Sequence, residues 1–283
     1  MRLKYICFLS LAAQAAPAIG ATIYNNLTPN NLMAIASRPD SPGATEIEAA
    51  DDFLLNGTTT TLNGASFVGL LVPGTVGTPT ISEVDVEIYR GFPKDSDTVR
   101  AQHVPTRANS PSDSAINTRD SAGGLLTFST SVLAGTFSVL NSVQPGGIHP
   151  SPGQNTNGNG PLTGQEVRFD VTFTAPIILP ADHYFFVPQV TLTNGGQFYW
   201  LSASRPISGA GTTPFLPDLQ AWTRDAALDP DWLRVGADIV GGATPPTFNA
   251  AFSLDGTAVP EPATVLLVVA GAALLAVKRR YAV

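Results

Sequence analysis

The sequence predicts an all-β protein: a two-sheet β-sandwich or jelly-roll-like domain held between two apolar termini. Three observations carry this. The 283 residues include 26 Gly and 24 Pro, spread through a middle with no long helical periodicity. Val167, Phe169, Val171 and Phe173 alternate with Arg168, Asp170 and Thr172, the period-two pattern of a half-buried strand. Val84, Val86 and Ile88 alternate with Asp85, Glu87 and Tyr89 in the same way.

Taken in order, Arg2 and Lys4 precede an apolar run from Tyr5 to Ala13, and small residues follow to Gly20. That succession is a secretory signal peptide over residues 1–20, with Ala16-Pro17-Ala18 and Ala18-Ile19-Gly20 as cleavage sites. The β domain then runs over 21–255. Its strand candidates are Thr60 to Leu71, Val84 to Tyr89, Leu125 to Leu133, Thr136 to Leu140, Val167 to Phe173, Tyr184 to Leu192, Phe198 to Ala203 and Phe248 to Leu254. Asn194-Gly195-Gly196 tolerates positive φ, so Tyr184 to Ala203 is expected as a hairpin. Pro188 in its first arm predicts an edge strand or a bulge. Two long loops are expected, 94–124 around Asn109-Ser110-Pro111-Ser112-Asp113 and the Gly, Pro and Asn-rich 144–164, the second of them disordered. A stalk over 256–262 follows.

Ala263 to Val277 is uncharged and rich in Leu, Val and Ala. At helical rise fifteen residues span about 22 Å, shorter than a hydrocarbon core of about 30 Å. Lys278, Arg279 and Arg280 follow directly and can snorkel to headgroups, marking a cytoplasmic tail over 278–283. Pro260 and Pro262 stop any extension of the helix toward the N-terminus. The expectation is a single transmembrane helix over 263–277. A core helix would carry a polar face, and this one has only Thr264.

Val259-Pro260-Glu261-Pro262, the apolar segment and Lys278, Arg279 and Arg280 together resemble the PEP-CTERM sorting signal of Gram-negative bacteria. The same tail is similar to one grouped as the C-terminal domain of ice-binding proteins. The resemblance covers roughly the last 25 residues. It implies recognition by an exosortase, a membrane cysteine transpeptidase, with cleavage near Pro260-Glu261-Pro262. It also implies delivery to the cell surface, exopolysaccharide or biofilm matrix. Ice binding would demand a flat array of alternating Thr, whereas Thr58 to Thr61 is consecutive and faces both ways. In the middle, Ala50-Asp51-Asp52-Phe53 and Leu179-Pro180-Ala181-Asp182-His183-Tyr184 are similar to short motifs of β-sandwich modules in exported bacterial proteins, with Asp182-His183 where those have Gly.

Composition limits the chemistry. Cys7, the only cysteine, lies in the leader, which leaves the mature chain without disulfide or thiol nucleophile. The chain has 15 Lys and Arg against 22 Asp and Glu; residues 1–20 and 263–283 hold five of the cations and no acid, so the middle has a net charge near −12. Nucleic acid, which demands a basic patch, is disfavoured as a partner. The three histidines His103, His149 and His183 lack zinc-ligand spacing, and no Gly-x-Ser-x-Gly elbow is present. Paired carboxylates for glycoside hydrolysis could come from Glu46, Glu48, Asp51 or Asp52, residues whose place before a strand suggests a solvated turn.

Two binding options remain. Calcium takes oxygen ligands from loops, and Asp225, Asp229 and Asp231, or Asp95-Ser96-Asp97, supply them outside any EF-hand pattern. A sugar ring stacks on an exposed aromatic, and Trp222 and Trp232 flanking the Asp-rich 223–231 segment are the candidates; Trp200 in its apolar strand reads as core. The expected function is an exported, non-catalytic structural or adhesive component of the surface or matrix. The alternatives are an exopolysaccharide-binding module using Trp222 and Trp232, and a secreted glycoside hydrolase.

Overall fold

Strands whose two faces differ in polarity must bury one face against something, and here two sheets bury theirs against each other. A computed structural model describes residues 21–57, 59–74, 79–97, 110–149, 155–204, 221–226, 232–243 and 246–258. Strands make up 63% and helical turns 4%, in two sheets, as the all-β expectation requires. The signal peptide, the sorting motif Val259-Pro260-Glu261-Pro262, the 263–277 segment and Lys278, Arg279 and Arg280 lie outside the described residues. Among the described residues no helix is long and apolar enough to cross a membrane.

The chain opens with β1 (Ala21–Asn25), β2 (Pro29–Ala36), β3 (Ile47–Leu55), β4 (Thr60–Val72) and β5 (Ile81–Arg90). It continues through β6 (Asn117–Asp120), β7 (Leu126–Val139), β8 (Asn141–Val143), β9 (Leu162–Leu179) and β10 (Asp182–Leu192). The last are β11 (Gln197–Ala203), β12 (Trp222–Asp225), β13 (Leu233–Arg234), β14 (Asn249–Ala250) and β15 (Phe252–Ala258), with a π-helical turn at Val235–Val240 after β13. The larger sheet is forked. Long β4 pairs β9 along one edge, and β15 and then β11 along the other. β7 extends it beyond β9, β1 beyond β15, and β2 and β8 beyond β11. The smaller sheet runs β13-β12-β3-β10-β5-β6.

The core between them is aromatic. Phe186 of β10 stacks on Phe252 at 5.1 Å and meets Trp200 at 5.9 Å and Phe67 at 6.3 Å, all three from the larger sheet. Trp200 is fully buried, as expected, and its indole N–H donates to Ala251 O at 3.0 Å. Space here is tight: a Cβ at Gly69 in β4 would lie 2.2 Å from the Phe198 ring. Only glycine lets that ring cross the strand.

Three local expectations are corrected. Tyr184 to Ala203 is not a hairpin: β10 belongs to the smaller sheet and β11 to the larger, and the turn between them crosses the sandwich. Its chemistry was legible, with Asn194 and Gly195 at φ 59° and 68°, but a left-handed turn serves an arch as well as a hairpin. Pro188 lies in an interior strand. The β10–β3 register stops at Phe186↔Asp51, and beyond it the Ser37 hydroxyl donates to Pro188 O at 2.7 Å and accepts from Ala49 N at 3.2 Å. A side chain patches the ladder that proline interrupts. The two predicted strands Leu125 to Leu133 and Thr136 to Leu140 are one strand, β7, with register shifts around Ala134. Within 94–124 the described part holds β6 and a segment lying over the smaller sheet; within 144–164 it includes the start of β9.

Phe186→Ala empties the centre of the aromatic core and is expected to cost about 3–5 kcal/mol, read as a lower urea midpoint at unchanged slope.

Candidate functional site

Alternation places every second side chain of β3, β5, β10 and β12 on the outer face of the smaller sheet. Register then decides who meets whom: Tyr89 lies across from Phe185, Glu87 from Val187, Asp85 from Gln189, and Arg224 from Glu48. The apolar members, Ala50, Tyr89, Phe185, Val187, Trp222 and Trp232, form a second buried cluster apart from the main core. Beside it sits a polar network. Glu48 is 1% exposed and forms an ion pair with Arg224 through Nε and Oε2. The Tyr89 hydroxyl lies 2.5 Å from Glu48 Oε1 and 2.7 Å from Glu87 Oε2, and accepts from Arg224 Nη2 at 2.9 Å.

The guanidinium is fixed on all sides. Its Nη1 donates to Asp113 O at 3.0 Å, and its Cζ lies 4.5 Å from the Trp232 ring centroid and 5.3 Å from that of Tyr89. Trp232 N–H in turn donates to Ser112 O at 2.9 Å, tying the 110–116 segment down as a cover. Glu46 receives the Gln189 amide at 3.0 Å, and Thr118 Oγ1 donates to Glu87 Oε1 at 3.2 Å. One oxygen of each of Glu46, Glu48 and Glu87 lies within 4.8 Å of the other two, an oxygen set able to hold a metal ion.

Burial dominates the electrostatics. It raises Glu46, with the nearby Glu48 charge adding to the effect. It raises Glu48 as well, although Arg224 opposes it. Asp85 is pushed up to about 7 by burial first and then by Glu83, Asp120 and Glu87. Burial alone would lower Arg224, but Glu48 and Tyr89 outweigh it and hold the guanidinium charged. Tyr89 is raised by burial and by Glu48.

The two motifs Ala50-Asp51-Asp52-Phe53 and Leu179 to Tyr184 come together as neighbouring strands, Tyr184 opposite Phe53 and Phe185 opposite Asp52. His183 Nε2 and Asp52 Oδ2 are 2.9 Å apart and both residues are 8% exposed. Asp51 points the other way, into the sandwich, where its Oδ2 accepts from Ala250 N at 2.7 Å. Burial, then the Asp52 charge, raises Asp51 well above the ordinary carboxylate range.

The sequence-predicted residues fare differently. Trp222 and Trp232 are each 1% exposed. The expectation of open faces for a sugar ring is therefore corrected: strand alternation turns Trp222 onto the covered face, and Arg224 and Tyr89 occupy the face of Trp232. Asp225 accepts from Thr45 Oγ1 at 3.3 Å, while Asp229 and Asp231 lie outside the described residues. Asp95 is bound through both oxygens by Arg90 at 2.6 and 2.5 Å, which also lowers its pKa. Glu46, Glu48, Asp51 and Asp52 are no solvated turn: Glu48, Asp51 and Asp52 are buried in β3 and Glu46 adjoins its start. His103 lies outside the described residues, and His149 is 8% exposed.

Sequence reasoning missed Tyr89, Glu87, Asp85 and Arg224. The sequence carried no clear signal for them: Glu83, Asp85 and Glu87 on one strand face read as an ordinary solvated face. Two cavities, about 460 Å³ beside Leu71, Thr136 and Gln165 and about 330 Å³ beside Arg38 and Gln197, have no carboxylate among the described residues of their walls. Comparison with family models, with curated proteins and with solved structures gives no match.

Arg224→Ala leaves Glu48 buried without its counter-ion and is expected to cost about 3–5 kcal/mol by chemical denaturation. Asp51 titrates higher folded than unfolded, so its carboxyl destabilises the fold increasingly as pH rises from about 4 toward the folded value. Asp51→Asn removes that loss: its melting temperature is expected to match the wild type near pH 4 and exceed it by several degrees at pH 7.

Proposed function

We propose that this chain is an exported, exosortase-sorted structural or adhesive component of a bacterial surface or extracellular matrix, associated with exopolysaccharide. The observation that carries the reading is the way the sandwich gathers its two ends. β1 starts at Ala21, directly after the sequence-predicted leader, and β15 ends at Ala258, directly before Val259-Pro260-Glu261-Pro262. β1 and β15 are antiparallel neighbours with Ala21 opposite Gly256. The chain therefore enters and leaves the sheet at one end. A domain hung there from a membrane helix turns its remaining surface outward, and release by cleavage in the Pro-Glu-Pro motif leaves every strand intact.

The domain's chemistry fits a scaffold. Three of its buried acids are spent on internal contacts, Glu48 on Arg224 and Tyr89, Asp51 on Ala250, Asp52 on His183. Ending the chain at Ala258 keeps β15 whole and separates sorting from folding. In cells expressing an exosortase, the full chain is expected in the envelope and then on the surface, whereas the shortened chain appears as a soluble exported protein. Identical partitioning of the two would overturn the reading.

A further inference from the structure

We infer that the outer face of the smaller sheet is a divalent-cation site of the calcium type, built by Glu46, Glu48 and Glu87 with Asp85 beside them. One carboxylate oxygen from each of the three glutamates lies within 4.8 Å of the others. That is the span across an ion with Ca–O distances of about 2.3–2.6 Å. No thiol or imidazole belongs to the set, and all-oxygen donors select a hard cation.

Clustered acids are common without an ion, and Asp85 is what distinguishes this cluster. It is 8% exposed, and its Oδ1 has no hydrogen-bond partner among the described residues. It shares the outer face with Glu87, two residues further along β5. It stands across from Gln189, whose amide is held by Glu46. An ionised carboxylate only accepts, so a buried oxygen without a donor requires a proton or a cation.

Donors nearby are too few. The Tyr89 hydroxyl has one hydrogen and two carboxylates, Glu48 and Glu87, within hydrogen-bond distance. Arg224 spends its donors on Glu48, Tyr89 and Asp113 O. Three carboxyl groups, Glu46, Glu48 and Glu87, thus gather beside one guanidinium, with Asp85 further along the same face, and a doubly charged ion offsets the excess. The partly exposed Glu46 and Glu87 give the ion a way in from solvent.

Such an ion does structural work. Glu48 belongs to β3 and Glu46 adjoins it, Glu87 belongs to β5, and β10 runs between the two strands. A cation held by all of them clamps β3 to β5 across the central strand, next to the Arg224 anchor of the 110–116 cover. Because the unfolded chain has no such site, binding stabilises the fold by mass action.

The test uses the full chain in detergent micelles after chelator treatment. Calcium is expected to raise the melting temperature by several degrees, saturating with a dissociation constant of roughly 10⁻⁴–10⁻³ M, the range of extracellular modules. Terbium is expected to occupy the same site and show emission sensitised by Tyr89 and Trp232, reversed by excess calcium. Glu87→Gln and the isosteric Asp85→Asn should each weaken binding on the order of tenfold through loss of ligand charge. Asp255→Asn, on the larger sheet, should not. The melting temperature of each variant without metal verifies that it folds. No saturable shift up to roughly 10 mM calcium, tenfold above the weakest such modules, would overturn the assignment, as would an unchanged dissociation constant in both Glu87→Gln and Asp85→Asn.

Discussion

The constraint on which this architecture depends is that β10 is covered on both faces. In a two-layer sandwich a sheet has one buried and one wet face. Here almost every residue of β10 is buried, Phe186 and Val190 inward and Phe185, Val187 and Gln189 outward. The outward side needs its own cover, and the 110–116 segment with the side chains of Trp222, Arg224 and Trp232 supplies it. That third layer is thin, so side chains do the covering. Trp222 fills space over Ala50, and Trp232 with Arg224 closes over Tyr89.

Covering a face that carries Glu48, Asp85 and Glu87 brings an electrostatic cost that burial alone would make prohibitive. The fold offsets it in distinct ways. Arg224 compensates Glu48 directly, held in place by Trp232 and the Asp113 carbonyl. Gln189 and Thr118 donate to Glu46 and Glu87 from neighbouring strands. Asp85 is left with its carboxyl pushed up to about 7 and one oxygen orphaned. Inside the sandwich Asp51 meets the same problem with backbone donors, Ala250 N at 2.7 Å foremost. Two carboxylates with so little compensation, one on each face of the smaller sheet, make this fold sensitive to protons.

The surface scaffold proposed above would gain from such an arrangement. Its termini leave from one end of the larger sheet, while the acidic network lies on the opposite layer, under a cover. The proposed attachment and the proposed ion-dependent stiffening would then act on separate parts of one domain, and neither would disturb the aromatic core between them.

Much of the fold was legible in the residues. Val167 to Phe173 and Val84 to Tyr89 had to be strands because alternation on a pleated backbone leaves no other way to bury one face, and Trp200 had to be core. The turn at Asn194-Gly195 could be placed from its tolerance of positive φ. Pairing was beyond reach, because one turn serves a hairpin or an arch and a proline is excluded from a ladder only if no side chain replaces the missing link, as Ser37 does. The site lay further still. Which face of a strand is wet depends on what lies above it, and Arg224, Tyr89 and Glu48 are separated by more than a hundred residues at their furthest. Local sequence determined strands, turns and the charge of the domain; tertiary structure alone decided that Glu48, Asp51, Asp52 and Asp85, with Trp222 and Trp232, are inside, because only the packing of distant segments defines where water ends.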